Sequence, residues 1–142
     1  MNQENKEVCL VPVGGLANRM RAIVSVLNAC QKAGVKLKIV WFRNRELNAP
    51  FFSLFNPLRS LNVTVKEAAR IDFLRYYRPV KKNLWLSKYY LRSHFDKVLS
   101  MTDCIPIVRD EQNLVNLISE TERLYMESCY DMGSYRNIRE IM

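Results

Sequence analysis

Short apolar runs and one long amphipathic stretch follow each other along this chain, and their order predicts its architecture. Residues 8–13, Val8-Cys9-Leu10-Val11-Pro12-Val13, are apolar at successive positions, rich in β-branched side chains and closed by two glycines. Such a run, bounded by a turn signal, reads as a strand buried on both faces. Pro12 falls near its end, where a missing ladder donor costs least. Over residues 17–33 the period changes. Met20, Ile23, Val24, Leu27, Cys30 and Ala33 recur at helical spacing, while Arg21, Ser25, Asn28 and Lys32 fall on the other side. That is one apolar face of an amphipathic helix, with Gly34 as its stop. Residues 36–41 return to the Val, Ile and aromatic composition of a strand. Strand, helix and strand in direct succession make a βαβ unit, so the two strands are expected to be parallel, with a right-handed crossover.

The rest of the chain carries weaker patterns. Residues 42–48 read as a polar loop. Residues 49–55 read as a short helical turn with Pro50 at its start, placing Phe51, Phe52, Leu54 and Phe55 against the sheet, and Asn56-Pro57 closes it. Residues 63–66 suit a short strand. Residues 67–77 and 85–101 are helix-compatible, the latter through Leu86, Tyr89, Tyr90, Phe95, Val98 and Leu99. Residues 104–108 read as a strand. Asp110 can cap a helix that runs through Leu114, Leu117 and Ile118, and residues 122–129 read as a further strand. The expected class is therefore α/β, a mostly parallel sheet flanked by helices. At 142 residues, with no Pro-, Gly- or Ser-rich linker, a single α/β domain over 1–142 is expected.

Composition narrows the function classes. A net charge of +8 favours anionic partners, whether nucleotide, nucleic acid or lipid headgroup, and equally suits a basic surface that only keeps the chain soluble. Cys9, Cys30, Cys104 and Cys129 form no CxxC pair, and His94 is the sole histidine. No metal site is expected, and buried packing is the expected role of the cysteines. The polar amino terminus carries no signal pattern. No apolar run approaches the ~18 residues of a membrane span, so a cytoplasmic location without a transmembrane segment is expected.

Candidate chemistry concentrates after the first strand. Gly14 and Gly15 permit a tight turn and close approach of a ligand to the backbone. The helix that follows would offer unpaired N–H groups and the positive end of its dipole. Asn18 can donate and accept, and Arg19 and Arg21 can pair phosphate oxygens. Neither GxGxxG nor a P-loop GK[ST] is present. A plain strand-to-helix turn with two surface arginines is the competing reading. Arg43, with Asn44, Arg45 and Glu46, follows the second strand and would share the same sheet edge, where open parallel sheets bind ligands. Arg75-Tyr76-Tyr77-Arg78-Pro79-Val80-Lys81-Lys82 interleaves bases with aromatics. Tyrosines on a half-buried helix face explain that stretch more simply than nucleic-acid stacking does. No nucleophile–base pair is visible, and nothing selects among Asp103, Asp110 and Asp131.

Gly14-Gly15-Leu16-Ala17-Asn18-Arg19-Met20-Arg21-Ala22 resembles the amino-terminal loop of GDP-fucose-dependent fucosyltransferases. That group includes nodulation-type α1,6-, bacterial α1,2- and protein O-fucosyltransferases. Ala17 stands where glycine is common in the group. The resemblance implies a Rossmann-like domain, the amino-terminal, acceptor-side half of a two-domain GT-B glycosyltransferase. It implies a nucleotide-sugar donor, GDP-fucose, and a glycan acceptor as substrates, with no metal and no separate cofactor. Gly14, Gly15, Leu16, Ala17, Asn18, Arg19 and Arg43 are the expected donor- or acceptor-binding residues, with no catalytic residue assigned. A carboxyl-terminal donor-binding domain with a His-x-Arg-type motif would complete the site. No such motif occurs here, so the chain alone is expected to be inactive. The alternative is a basic, non-enzymatic nucleotide- or nucleic-acid-binding module, with nucleic acid the less favoured partner.

Overall fold

A computed structural model describes residues 6–43, 47, 49–51, 62–70, 72, 84–99 and 111–128. The first apolar run forms β1 (Glu7–Pro12), and the amphipathic stretch forms α1 (Leu16–Ala33). β2 (Lys36–Trp41) and β3 (Val63–Glu67) follow. Then come α2 (Leu84–His94), β4 (Lys97–Leu99), α3 (Glu111–Glu120) and β5 (Arg123–Ser128). The strands form one sheet in the order β3-β2-β1-β5-β4, and every pairing is parallel. The expected α/β class and the parallel β1–β2 pair are both observed.

Crossover handedness explains where the helices lie. The steps from β1 to β2 and from β4 to β5 run in one direction across the sheet, so right-handed connections put α1 and α3 on one face. The return from β3 to β4 runs the other way and puts α2 on the opposite face. Two buried clusters follow that division. Val8, Leu10, Leu37, Ile39, Trp41, Leu124 and Met126 pack with Ile23, Val26, Leu27 and Cys30 of α1 and with Leu114 and Ile118 of α3. Cys9, Val11, Val40 and Tyr125 point the other way and pack with Leu91 of α2. The two-residue alternation along each strand sorts the side chains, and β1 is apolar on both faces because both are covered.

α1 ends in a Schellman arrangement. Gly34 takes φ 70°, its N–H reaches the Gln31 carbonyl at 3.3 Å, and the Val35 N–H reaches the Cys30 carbonyl at 3.0 Å. Ser25 and Asn28, expected on a polar side, are buried. α3 packs beside α1, so that helix is covered on more than its sheet-facing side. The Ser25 hydroxyl is satisfied within the helix, donating to the Arg21 carbonyl.

Three expectations meet a different structure. The helix expected over 85–101 ends at His94, and Lys97–Leu99 is a strand. Asp96 makes the switch: its N–H donates to the Arg123 carbonyl at 2.9 Å, and its Oδ2 accepts from the Arg123 N–H at 3.0 Å. Pairing with β5 therefore decides a segment whose apolar spacing suits either element. The helix expected from 67 does not start there, because Glu67 closes β3 and residues 68–70 form a turn region. The third is the polar flank of α1. The expected strand at 104–108, most of the 49–55 turn and the basic–aromatic stretch at 75–82 lie outside the described residues. No helix among the described residues is long and apolar enough to cross a membrane.

Candidate functional site

The carboxyl edge of the sheet gathers the ends of β1, β2 and β3. At β1 the chain leaves the core at Val13 and turns through Gly14, whose φ of 93° is one that L side chains rarely adopt. Gly15 is the N-cap of α1, with φ −73°, ψ 178° and no side-chain cap. A Cβ placed on Gly15 would meet nothing within 4 Å. Leu16 is 39 % exposed, and Ala17 and Asn18 are exposed beside it. Asn18 Oδ1 accepts a hydrogen bond from Arg21 Nη1 at 3.2 Å. Asn18 thus faces outward at an uncapped helix mouth, where the positive end of the helix dipole is accessible.

Arg19 behaves differently from the expected phosphate fork, and also from the surface residue of the competing reading. It is 0 % exposed. Its Nε donates to the Gly14 carbonyl at 2.7 Å and its Nη1 to the Phe42 carbonyl at 2.6 Å. The guanidinium carbon lies 4.7 Å from the centroid of the Trp41 ring, a cation–π distance. One buried cation therefore joins the turn after β1 to the last residues of β2. Arg43 is exposed and directly follows the Phe42 carbonyl that Arg19 holds. The structure thus brings together the Gly14–Asn18 turn and Arg43, with Arg19 beneath them rather than among them. Asn44, Arg45 and Glu46 lie outside the described residues.

The flank of this edge is braced by side chain–backbone bonds. Trp41 Nε1 donates to the Ala49 carbonyl at 2.7 Å, and the Phe51 N–H donates to Glu67 Oε1. The Ala68 N–H reaches the Trp41 carbonyl at 2.9 Å. Beyond β3, Asp72 is fully buried, accepts the Ala69 N–H at 2.8 Å and pairs with Lys66 at 3.1 Å.

Two carboxylates at this edge escaped the sequence reading. Asp72 carried no signal, because its partners include a backbone N–H, which carries no residue identity. Glu127 did carry one: it ends the apolar run Leu124-Tyr125-Met126 with a charge inside the expected strand. It stands opposite Val11 in the β1–β5 ladder and is 8 % exposed, on the same face as Tyr125 by strand alternation.

Other candidates lie away from the mouth. His94 is exposed, stacks on Tyr90 at 4.0 Å and places Nδ1 2.9 Å from the Tyr90 carbonyl. It sits at the opposite, amino edge, beside a polar cleft of about 310 Å³ lined by Arg92, Asp96, Glu122 and Arg123. Cys9 and Cys30 are buried, and burial pushes the Cys30 thiol up to about 12. Asp103, Asp110 and Asp131 lie outside the described residues. No group of three or more His, Cys, Asp or Glu side chains suited to a metal ion occurs among the described residues.

An all-parallel sheet with helices on both faces defines the chain as a Rossmann-like α/β protein. No family model matches it, and neither a curated protein nor a solved structure matches it.

Proposed function

We propose that this chain is the acceptor-side, amino-terminal part of a fucosyltransferase-like glycosyltransferase that uses a nucleotide-sugar donor, GDP-fucose, and a glycan acceptor. The observation that carries this reading is the open, uncapped mouth of α1. Gly15, Leu16, Ala17 and Asn18 lie at the carboxyl edge of the central strand with empty space above Gly15. That is the edge where parallel sheets bind ligands, and a helix mouth there favours a phosphorylated group. The resemblance of Gly14–Ala22 to the fucosyltransferase loop supplies the choice of donor. Arg43 adds an exposed cation on the neighbouring strand end.

Inverting transfer needs an acceptor hydroxyl held in line and a stabilised diphosphate leaving group. The Asn18 amide and the α1 mouth provide neutral and dipolar contacts for the sugar or pyrophosphate, and Arg43 provides charge. The chain lacks a His-x-Arg-type motif. Transfer then requires a second, donor-binding domain, and the 142-residue chain by itself binds without turning over.

Calorimetric titration with GDP-fucose and with a DNA oligonucleotide, each at two salt concentrations, tests this reading. Saturable GDP-fucose binding that weakens roughly five- to tenfold in Asn18→Ala supports it. Binding confined to DNA and lost steeply with salt identifies a basic nucleic-acid module instead. An Asn18→Ala variant that binds as well as the unmodified chain removes the mouth from the site.

A further inference from the structure

We infer that Arg19 is a positioning residue that locks the β1–α1 turn and the β2 end into one ligand-binding frame. The inference deepens the glycosyltransferase reading and rests on it for the identity of the ligand. Its geometric part stands on the guanidinium alone. Nε holds the Gly14 carbonyl at 2.7 Å and Nη1 holds the Phe42 carbonyl at 2.6 Å. Gly14 and Phe42 are buried residues just past the ends of two neighbouring parallel strands, and each is followed by a group of the proposed site. After Gly14 come Gly15 and the α1 mouth, and after Phe42 comes Arg43.

A single planar cation bonded to both carbonyls fixes the spacing between those groups. Trp41 lies against the guanidinium at 4.7 Å, so the fork cannot swing away without losing a ring contact. Arg19 belongs to the first turn of α1, and its own N–H reaches the Gly15 carbonyl at 3.0 Å. The helix that supplies the mouth therefore also supplies the clasp. Lysine cannot replace it, because one ammonium point cannot span both carbonyls in a fixed plane.

A purely structural Arg19 would affect stability and leave the two halves of the site independent. A positioning Arg19 makes them depend on each other. In the full 142-residue chain, Arg43→Ala is expected to weaken GDP-fucose binding about tenfold, and in an Arg19→Lys background less than about twofold, because the β2 end is no longer held over the mouth. Equal losses from Arg43→Ala in both backgrounds overturn the inference. Arg19→Lys is also expected to speed amide exchange at residues 14–18 and 42–43 together, by about tenfold, with residues 123–128 unchanged. Faster exchange on the Gly14 side alone overturns it as well.

If Arg19→Lys fails to fold, the unmodified chain still decides the matter. Titration with GDP should move the Arg19 Nε–H resonance and the Gly15 and Arg43 amides along one binding curve. An Arg43 amide that follows a different curve, or none, overturns the clasp. A chain that binds neither GDP nor GDP-fucose overturns the functional reading, and the exchange experiment then judges the clasp by itself.

Discussion

Trp41 and Phe51 meet edge to face, with ring centroids 5.4 Å apart and 76° between their planes. The same indole donates to the Ala49 carbonyl and lies under the Arg19 guanidinium. One residue at the end of β2 therefore holds the following segment on one side and the α1 turn on the other. Trp41→Phe keeps an aromatic ring but leaves the Ala49 carbonyl without its donor and opens space beside Phe51. The expected loss is about 1–2 kcal/mol, combining a lost hydrogen bond to a half-buried acceptor with a partial cavity. Urea unfolding followed by circular dichroism measures it. A loss below about 0.5 kcal/mol would show that the indole does not brace the segment after β2.

Gly14 and Gly15 are adjacent and identical, yet opposite consequences are expected of them. Gly14 has φ 93°, so Gly14→Ala strains the backbone and costs about 1–2 kcal/mol. Gly15 has an extended conformation that any residue adopts, with nothing near its missing Cβ. Gly15→Asp supplies the absent N-cap oxygen and a charge suited to the helix dipole, gaining about 0.5 kcal/mol. The same carboxylate occupies the mouth and repels an anionic donor. Gly15→Asp should therefore melt higher than the unmodified chain and lose GDP-fucose binding. Higher stability with binding intact would mean that the glycine pair is only a turn.

The difference between what the sequence disclosed and what it hid is physical. The βαβ unit was legible because hydrophobic period is a local property: Val8–Val13 and Met20–Ala33 carry their burial in their own spacing. The burial of Arg19 is not legible in the sequence, because its partners include the carbonyls of Gly14 and Phe42, and carbonyls carry no residue identity. The burial of Ser25 and Asn28 is not legible in the sequence, because the period of one helix carries no information about what packs on its other sides. β4 was missed because Phe95, Val98 and Leu99 satisfy helical and extended spacing alike. The Asp96–Arg123 exchange of hydrogen bonds, across 27 residues, and the β4–β5 ladder that follows it select the strand. The mouth was found because glycine, asparagine and a strand-to-helix change of period coincide in a few residues. Glu127 could have been found by the same local reading, as a charge set in an apolar strand.

The other end of α1 offers a stability test that leaves the carboxyl edge untouched. Gly34 closes the helix at φ 70°, and Val35 follows it into the core beside Cys30. Gly34→Ala should cost about 1 kcal/mol through the left-handed backbone. Gly34→Asn should cost roughly half as much, since asparagine tolerates that region better. GDP-fucose affinity should be unchanged in both. A change in affinity would mean that the two edges of the sheet are coupled, against the assignment of the site to one of them.

Alkaline pH tests the packing between α1 and the sheet through Cys30. Burial raises its thiol from 9.0 to about 12, because the thiolate would be desolvated among Leu27, Val35 and the neighbouring core. Below about pH 9 the thiol is protonated in both folded and unfolded chains, and it confers no pH dependence. Between about 9 and 12 the unfolded chain releases this proton and the folded chain keeps it. The unfolded state then binds fewer protons, so stability falls as pH rises, by up to about 1.4 kcal/mol per unit from this one group. Cys30→Ala removes that component. Its penalty near neutral pH is about 1 kcal/mol for the small cavity, and this penalty should shrink and then reverse as pH climbs through the window. Parallel urea titrations of the two chains at pH 7, 9 and 10.5 measure the difference. A constant difference across that range would mean that the thiol is not buried against the sheet, and with it would go the packing that sets α1, and its mouth, over the carboxyl edge.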